Sequence, residues 1–261
     1  MTRLDETVAA ATGVTRSRAR ALIMAGRVRV AGRLATKPGM SVASEAPLEV
    51  ERAPSYVSRG GDKLAGSLAA FSLDVTGLRA LDIGASTGGF TDALLAHGAA
   101  HVTALDVGYG QLATSLRDDP RVTVIERTNF RLLQAGALGE PFELVTIDAS
   151  FISVVTLVDR ARAFLTDDGS MVALVKPQFE AGPKRVGGGG VVRNRDVHRA
   201  ILREVRAALR AIGLAPIALV PSTLRGPAGN IEFFTLVRRN GDAYDDEAVE
   251  RALATAPETP Q

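Results

Sequence analysis

Residues 78–92, LRALDIGASTGGFTD, join an apolar segment to a run of small residues and then to a second apolar segment. Leu78 to Ile83 predicts a buried strand, Gly84 to Gly89 a tight turn, and Phe90 to Ala96 a helix. Small residues in such a turn let the backbone approach a ligand closely at the carboxyl end of a parallel strand. The stretch therefore predicts an α/β fold with a ligand site at the end of this strand.

Apolar segments of strand length recur along the chain and alternate with helical patterns. The further predicted strands are residues 101–105, 122–125, 144–148, 171–175, 217–220 and 231–237, and the clearest helices are 64–71 and 196–212. Strands alternating with helices are typical of a parallel sheet covered on both faces. We therefore expect a doubly wound, Rossmann-like sheet of seven strands.

Two acidic residues indicate the kind of ligand. Asp82 lies directly before the turn, and Asp106 ends the second strand, 22 residues past Gly84, where an acid accepts from a ribose hydroxyl pair. The turn lacks the Gly-x-Gly-x-x-Gly spacing of a nicotinamide site and the Gly-Lys-Ser/Thr ending of a phosphate-binding loop. S-adenosylmethionine carries a sulfonium, an ammonium and a ribose diol, so it suits these acids better than a pyrophosphate ligand. A purely structural Asp-x-Gly turn is the alternative.

The predicted cofactor site extends to neighbouring strand ends. Asn129 follows the third strand, where a residue that contacts adenine often lies in this fold. The predicted cofactor-binding residues are Asp82, Gly84, Ala85, Ser86, Gly88, Phe90, Asp106, Val107, Asn129 and Asp148.

The N-terminal fifth of the chain has its own charge balance. Residues 1–52 carry nine basic and five acidic side chains, whereas residues 53–261 carry 22 and 24. A basic module beside a nearly neutral body is typical of an accessory polyanion binder, and from charge alone a solvated basic face explains it equally well. A helix after Thr15 that ends at Gly26, short strands at 28–30 and 47–50, and turns at Gly32 and 37–39 predict a small α+β domain.

This module resembles the RNA-binding domain first described in a small-subunit ribosomal protein. The matching residues are Arg3-Leu4-Asp5, Ser17-Arg18, Ala21, Ile23, Gly26, Val28, Val30, Gly32 and Lys37-Pro38-Gly39. The resemblance implies RNA binding, for which we nominate Arg3, Arg16, Arg18, Arg20 and Lys37 as phosphate contacts.

Composition excludes several classes of protein. The 261 residues contain no Cys, which excludes disulfide scaffolds, thiolate zinc sites and cysteine nucleophiles. The three histidines, His97, His101 and His198, are too scattered to suggest a metal centre, so we predict no metal. The N-terminus lacks the apolar core of a signal peptide, and no apolar run approaches the ~20 residues that span a bilayer. We expect a cytoplasmic protein with no membrane partner.

Four charged residues stand where chemistry is expected in such a sheet. Lys63 precedes the first strand, Asp148 ends the fourth, Lys176 ends the fifth, and Glu232 begins the last. Ligands bind at the carboxyl ends of parallel strands, so Asp148 and Lys176 should face one crevice. Each residue by itself is equally compatible with a solvated strand end.

Longer motifs around these residues resemble the TlyA family of ribosomal RNA 2′-O-methyltransferases. They are Tyr56-Val57-Ser58-Arg59-Gly60-Gly61-x-Lys63-Leu64, the stretch 82–92, Asp106 to Leu112, Thr146-Ile147-Asp148-x-Ser150-Phe151-Ile152-Ser153, Val175 to Glu180, and Gly229 to Phe233. The match runs from about residue 3 to 239. It implies a catalytic tetrad, shared with the wider FtsJ-like methyltransferases, at Lys63, Asp148, Lys176 and Glu232.

The resemblance also implies a substrate and a domain plan. The implied methyl acceptor is a cytidine ribose in ribosomal RNA, offered as free RNA or as a ribosomal subunit, with Lys176 accepting or polarising the hydroxyl proton. We expect an RNA-binding domain at 1–51, a linker at 52–55, a methyltransferase domain at 56–240 and a C-terminal tail at 241–261. Family members can carry a tryptophan in the linker, whereas this chain has Ala53-Pro54-Ser55.

Other interpretations stay open at this point. A non-catalytic RNA-binding ribosome assembly factor would keep the fold without the chemistry, although all four tetrad residues are present. A haemolysin, the other label in this family, would require a membrane-inserting element, and none is evident. The Gly-rich basic loop 182–193 is interpreted either as a lid over RNA or as an exposed tether.

Overall fold

The computed structural model describes residues 2–24, 26–43, 45–50, 56–182 and 185–257. The chain divides into two compact units, residues 1–55 and 56–261. The predicted linker at 52–55 lies outside the described residues.

The N-terminal unit is a small α+β domain, as its sequence pattern predicts. Its elements are β1 (Thr2–Arg3), α1 (Leu4–Thr12), α2 (Arg16–Met24), β2 (Val28–Val30), β3 (Arg33–Leu34), β4 (Ser41–Val42) and β5 (Leu48–Val50). β2 pairs antiparallel with β3 and β5, and β1 pairs with β4. The β2–β3 hairpin has a two-residue loop in which Ala31 and Gly32 both have positive φ, the geometry that matches the twist of the strands. Leu4, Val8 and Ile23 are fully buried at its core.

The larger unit alternates strands and helices. Its elements are α3 (Arg59–Phe71), β6 (Arg79–Ile83), α4 (Gly89–Ala96), β7 (His101–Leu105), α5 (Thr114–Arg117), β8 (Val122–Ile125), β9 (Phe142–Ile147), α6 (Val154–Ala161), β10 (Leu165–Val175), α7 (Pro177–Glu180), α8 (Arg195–Ala211), β11 (Ala215–Pro221), β12 (Phe233–Arg238) and α9 (Asp246–Ala254).

Seven strands of the described residues form one sheet in the order β11-β12-β10-β9-β6-β7-β8. Neighbours from β10 to β8 pair in parallel, whereas β12 runs antiparallel to β10 and β11. From β6 the chain proceeds outward through β7 and β8, and then returns to the other side with β9. The order therefore reverses between β6 and β9, where open α/β sheets bind ligands beyond the carboxyl ends of their strands.

Side chains alternate between two hydrophobic layers, one on each face of the sheet. On β6, Leu81 and Ile83 join the layer under α6, α8 and α9, while Ala80 joins the layer under α3 and α4. The same alternation on β10 places Val172 and Leu174 on the second face. The sheet is thus covered on both faces, as a doubly wound fold requires.

Several elements extend beyond their predicted bounds. α3 begins at Arg59 rather than Leu64, so Lys63 lies inside a helix despite the unfavourable Gly60 and Gly61. Close packing explains the second glycine, because a Cβ on Gly61 would lie 2.3 Å from the Tyr56 side chain. Tertiary contact, which a local pattern does not show, therefore outweighs helix propensity here.

The predicted C-terminal tail is in large part an integral element of the larger unit. Val249 and Leu253 of α9 are buried in the same layer as α8, and Arg199 of α8 donates to Glu250. Asp245 caps the helix by accepting from the amide of Ala248 at 2.9 Å. Through Ala254, this segment is part of the core rather than an appendage.

Replacing Leu253 by alanine is therefore expected to lower the free energy of unfolding by ~2–5 kcal/mol, since it removes a buried side chain from a packed core. Glu247→Ala on the exposed face of the same helix is the matched control, expected within about 0.5 kcal/mol of the wild type. Urea unfolding of both variants measures the difference. Equal, small effects would show that α9 does not contribute to the core.

Candidate active site

The sheet topology gathers three of the four predicted catalytic residues at one edge. Asp148 follows β9 and Lys176 follows β10, at the carboxyl ends of neighbouring parallel strands. Glu232 precedes β12, which is antiparallel, so the start of that strand lies at the same edge. The register pairs Val175 with Phe233, which makes Lys176 and Glu232 the next residues outward on adjacent strands.

The fourth residue reaches this edge from a helix. Lys63 of α3 donates from Nζ to Glu232 Oε2 at 2.6 Å, and the two side chains are only 9% and 1% exposed. A Cβ on Gly226 would lie 2.4 Å from Glu232 Oε1, so only glycine allows the carboxylate to occupy this position without rearrangement. The pair is buried, hydrogen-bonded and enclosed by backbone.

Another ion pair joins the remaining tetrad residues. Lys176 Nζ lies 2.5 Å from Asp148 Oδ1, and it also donates to Ser150 Oγ at 3.2 Å. The lysine side chain is 12% exposed and the aspartate 24%, so this pair is more accessible than that of Lys63 and Glu232. The geometry leaves Lys176 near solvent, where an amine can exchange a proton with a bound hydroxyl.

A cleft of about 620 Å³ opens beside Asp148. Its walls combine apolar side chains with a few polar groups, the usual make-up of a small-molecule site. The lining residues are Ile83, Gly84, Ser86, Leu105, Asp106, Val107, Gln111, Thr128, Asn129, Phe130, Arg131, Asp148, Ala149, Ser150, Phe151, Ile152 and Leu157. Of the predicted cofactor residues, Gly84, Ser86, Asp106, Val107, Asn129 and Asp148 therefore line one cleft.

Asp106 is held ready to accept further hydrogen bonds. Its Oδ2 accepts from the amide of Ser86 at 2.8 Å, and its Oδ1 accepts from the amide of Gly108 at 2.6 Å. Each carboxylate oxygen has roughly two acceptor positions, so one on each oxygen is left for a ligand. Two parallel acceptors at a strand end fit the paired hydroxyls of a ribose.

Steric crowding explains why the turn after β6 has a glycine at position 84. Its φ is +84°, and a Cβ there would lie 2.4 Å from the carbonyl oxygen of Asp148. A side chain would push the turn away from β9 and would disturb the strand end that carries Asp148. The turn and the end of β9 are thus packed directly against each other.

Four predicted cofactor residues do not line the cleft. Asp82 is fully buried, and it accepts from the Thr91 hydroxyl at 2.7 Å and from the Thr146 hydroxyl at 3.0 Å. Burial raises the pKa of Asp82 to about 6, although the two threonine hydrogen bonds oppose this. Ala85, Gly88 and Phe90 are likewise buried in the packing of the turn and α4.

The expectation that Asp82 faces a cationic ligand stays a prediction, and in this structure the carboxylate is buried beside the cleft rather than lining it. Its side chain lies on the face of β6 opposite Leu81 and Ile83, and Ile83 is the β6 side chain that lines the cleft. The carboxylate ties β6 to α4 through Thr91 and to β9 through Thr146. Its observed contacts shape the turn and do not reach into the cleft.

The predicted RNA contacts of the N-terminal unit fall into two groups. Arg18, Arg20 and Lys37 are exposed and, among the described residues, make no ion pair. Arg3 and Arg16 instead donate to the buried Asp5 at 3.0 to 3.4 Å, and Arg16 also pairs with Glu6 at 2.9 Å.

This arrangement of Arg3 and Arg16 differs from that of a free basic face. Their side chains are still 47% and 51% exposed, but their guanidinium edges are fixed by Asp5. The guanidinium of Arg3, aided by that of Arg16, lowers the pKa of Asp5 to about 2.

The Gly-rich loop is anchored after its undescribed part. Pro183 and Lys184 lie outside the described residues, and Arg185 donates to both carboxylate oxygens of Glu204 at 2.7 and 2.8 Å. Asn230 accepts from the amide of Val192 at 2.9 Å, while its own amide donates to Gly190 at 3.0 Å. Since Asn230 is two residues from Glu232, the loop is fastened to the segment that presents the tetrad glutamate.

In the ranges that the structure describes, no three His, Asp or Glu side chains group as a metal site. Within those same ranges, no helix is both long enough and apolar enough to cross a membrane.

Comparison with known proteins gives the family. A model described as FtsJ-like methyltransferase matches residues 56–239, and one described as S4 domain matches residues 2–46. The chain is 47% identical over 257 residues to a Mycobacterium tuberculosis protein named 16S/23S rRNA (cytidine-2′-O)-methyltransferase TlyA, covering 94% of this chain and 95% of that protein. The chain belongs to the TlyA family of FtsJ-like methyltransferases.

Two further relatives carry a different name. A Brachyspira hyodysenteriae protein named Hemolysin A is 38% identical, over 88% of this chain and 97% of its own. A solved structure from Streptococcus thermophilus, described as a candidate hemolysin, superposes with a TM-score of 0.76 at 36% identity, covering 97% of this chain and 94% of its own. The TlyA fold is therefore shared by proteins that carry both names.

Some residues of this TlyA family member have site contacts that sequence reasoning did not assign. Ser150 accepts a hydrogen bond from Lys176. Gln111 and Thr128 line the cleft. Asp5 organises two of the nominated arginines. Asp5, Gln111 and Ser150 lie within quoted motifs, and Thr128 directly precedes the nominated Asn129, so their positions in the sequence are a usable signal.

The shifted pKa of Asp5 gives a pH-dependent prediction. Its folded pKa of about 2 is below the ~3.9 of an unfolded aspartate, so its stabilising effect is complete above ~3.9 and is lost as pH falls towards 2. We expect Asp5→Asn to lower the unfolding temperature of the N-terminal unit near neutral pH, with a deficit that shrinks below about pH 4.

Methyl resonances of Val8 and Ile23, followed on heating by nuclear magnetic resonance, report on that unit within the full chain. Glu45→Gln, an exposed acid of the same unit, is the matched control and should unfold like the wild type at each pH. A deficit for Asp5→Asn that is constant from neutral to acidic pH would contradict the account.

Proposed function

We propose that this protein transfers a methyl group from S-adenosylmethionine to the 2′-hydroxyl of a cytidine in ribosomal RNA. The observation that carries the proposal is the ion pair of Lys176 with Asp148, a residue that lines the same cleft as the ribose-type acceptor Asp106. The pair supplies a group for the hydroxyl proton, and the cleft supplies a place for the methyl donor.

The cleft residues fit S-adenosylmethionine. Asp106 would accept from the ribose hydroxyls, while Asn129 and the apolar side chains of Leu105 and Phe130 would contact the base. When bound, the cofactor supplies an electrophilic methyl on a sulfonium. Because position 84 is a glycine, the backbone of the turn lies close to Asp148 at the end of β9. A cofactor bound at the turn would therefore lie near Asp148.

The four tetrad residues have separate roles in this proposal. Lys176 would contact the 2′-hydroxyl and accept or polarise its proton, since a neutral ribose hydroxyl is a weak nucleophile. Asp148 would hold Lys176 in place through the 2.5 Å contact. Lys63 and Glu232 form the buried pair that fixes α3 and the start of β12 beside it.

The substrate class rests on the N-terminal unit and on the named relatives. An S4 domain with exposed Arg18, Arg20 and Lys37 provides positive charge for an RNA backbone. The relatives from Mycobacterium tuberculosis and Campylobacter jejuni are named as rRNA cytidine-2′-O-methyltransferases. We therefore propose ribosomal RNA, free or within a subunit, as the partner.

The proposal also fits the site better than a haemolysin or an assembly factor does. Neither of these functions requires a cleft with a ribose acceptor or a lysine paired with an acid at its rim. Pore formation would be detected as dye leakage from liposomes exposed to purified protein, and we expect none above buffer.

Replacing Lys176 by alanine should lower the rate of methyl transfer by ~100-fold or more, the usual effect of losing a general acid–base group. The assay follows labelled methyl from S-adenosylmethionine into ribosomal subunits from a strain that lacks this gene. Arg251→Ala, an exposed cation on α9, is the control and should retain the wild-type rate. Near-normal transfer by Lys176→Ala would exclude the proposed role of this lysine.

Replacing Asp106 by asparagine should weaken S-adenosylmethionine binding by ~10- to 100-fold, because hydrogen bonds to a charged acceptor are replaced by weaker ones. Isothermal titration calorimetry of the purified protein measures the change. Asp118→Asn makes the same change of charge at an exposed position nearby and should leave the affinity unaltered. Unchanged affinity for Asp106→Asn would place the cofactor elsewhere.

A further inference from the structure

Lys176 contacts Ser150, a residue outside the tetrad. Within the described residues, its Nζ contacts Asp148 Oδ1 at 2.5 Å and Ser150 Oγ at 3.2 Å. Ser150 is exposed, lines the cleft and lies two residues past Asp148 on the same loop. A serine hydroxyl at this distance accepts a hydrogen bond from the lysine amine.

The shape of an amine gives this contact a consequence. A lysine Nζ is tetrahedral, with one bond to Cε and three remaining directions. The hydrogen bond to Ser150 takes one of these directions, whereas the ion pair with Asp148 does not have hydrogen-bond geometry. With the ion pair alone, the amine could still rotate about the Cε–Nζ bond, and the hydrogen bond to Ser150 fixes its two remaining directions.

The loop that carries Ser150 is itself held in an uncommon conformation. Phe151 has a φ of +65°, a left-handed value that is costly for a bulky residue and persists only where its surroundings enforce it. At the far end of the loop, Glu180 accepts from the Ser153 hydroxyl at 2.8 Å and from the Val154 amide at 2.7 Å.

Glu180 connects the two segments that carry the catalytic pair. It belongs to α7, which begins directly after Lys176, and it fixes the loop that begins at Asp148. The rings of Phe151 and Phe179 lie 5.0 Å apart between the same segments. The loop after β9 and the segment after β10 are therefore joined at both ends, which holds the Ser150 hydroxyl against Lys176.

We propose that Ser150 is a positioning residue for methyl transfer, which orients the Lys176 amine towards the ribose 2′-hydroxyl. The inference rests on the proposed function of the site and adds a fifth residue to its machinery. Because Ser150 is exposed, its hydroxyl is not needed to satisfy a buried group, so its contribution is to geometry at Lys176 rather than to folding.

The test compares Ser150→Ala with Ser150→Thr, which retains a hydroxyl. We expect the single-turnover rate of methyl transfer to fall ~10- to 100-fold for Ser150→Ala and to recover in large part for Ser150→Thr. The dissociation constants for S-adenosylmethionine and for ribosomal subunits, and the unfolding temperature, should be unchanged. Ser115→Ala, an exposed serine on α5, is the matched control.

A double variant separates positioning from other roles. If Ser150 acts through Lys176, adding Ser150→Ala to Lys176→Ala should cause no further loss, because the two changes remove one interaction. A full second loss would overturn the inference, as would a Ser150→Ala rate equal to the wild type or a defect that lies entirely in cofactor affinity.

Failure of the inference and failure of the proposed function give different results. If the wild-type protein transfers methyl and Ser150→Ala does so at the same rate, the positioning role is wrong and the function stands. If the wild-type protein transfers no methyl to ribosomal subunits, the function itself is wrong, and with it the role of Ser150.

Discussion

A buried lysine and a buried glutamate, 169 residues apart, hold the active edge of this protein together. Removing two charges from water is costly, and the cost is offset only when the ions meet in good geometry, as Lys63 and Glu232 do at 2.6 Å. Either charge without the other would be an uncompensated ion in the core. The first helix of the larger unit and its last strand must therefore both be in place before the site exists.

The topology of the sheet explains why one edge collects three members of the tetrad. Parallel β9 and β10 deliver Asp148 and Lys176 at their carboxyl ends, and the antiparallel β12 delivers Glu232 at its beginning. Had β12 been parallel, Glu232 would lie at the opposite edge. The reversal of one strand thus completes a constellation that a purely parallel sheet would divide.

Local pattern predicted the parts of this fold that depend on local physics. The strand, turn and helix around Gly84 and the order of elements were readable, and the tetrad followed from family resemblance. The buried position of Asp82 was also readable, because alternation along β6 places it on the face opposite Leu81 and Ile83. The burial of α9 had a signal in Val249, Ala252 and Leu253 at helical spacing. The link from Asp5 to Arg16, and that from Lys176 to Ser150, join residues whose proximity only the folded chain establishes.

The central claim is that the site methylates a ribose hydroxyl rather than a base. Mass spectrometry of nucleosides from ribosomal RNA tests it most directly, in a strain without this gene and in the same strain with the gene restored. The account predicts that 2′-O-methylcytidine increases when the gene is restored. A base-methylated nucleoside in its place, or an unchanged nucleoside profile, would contradict it.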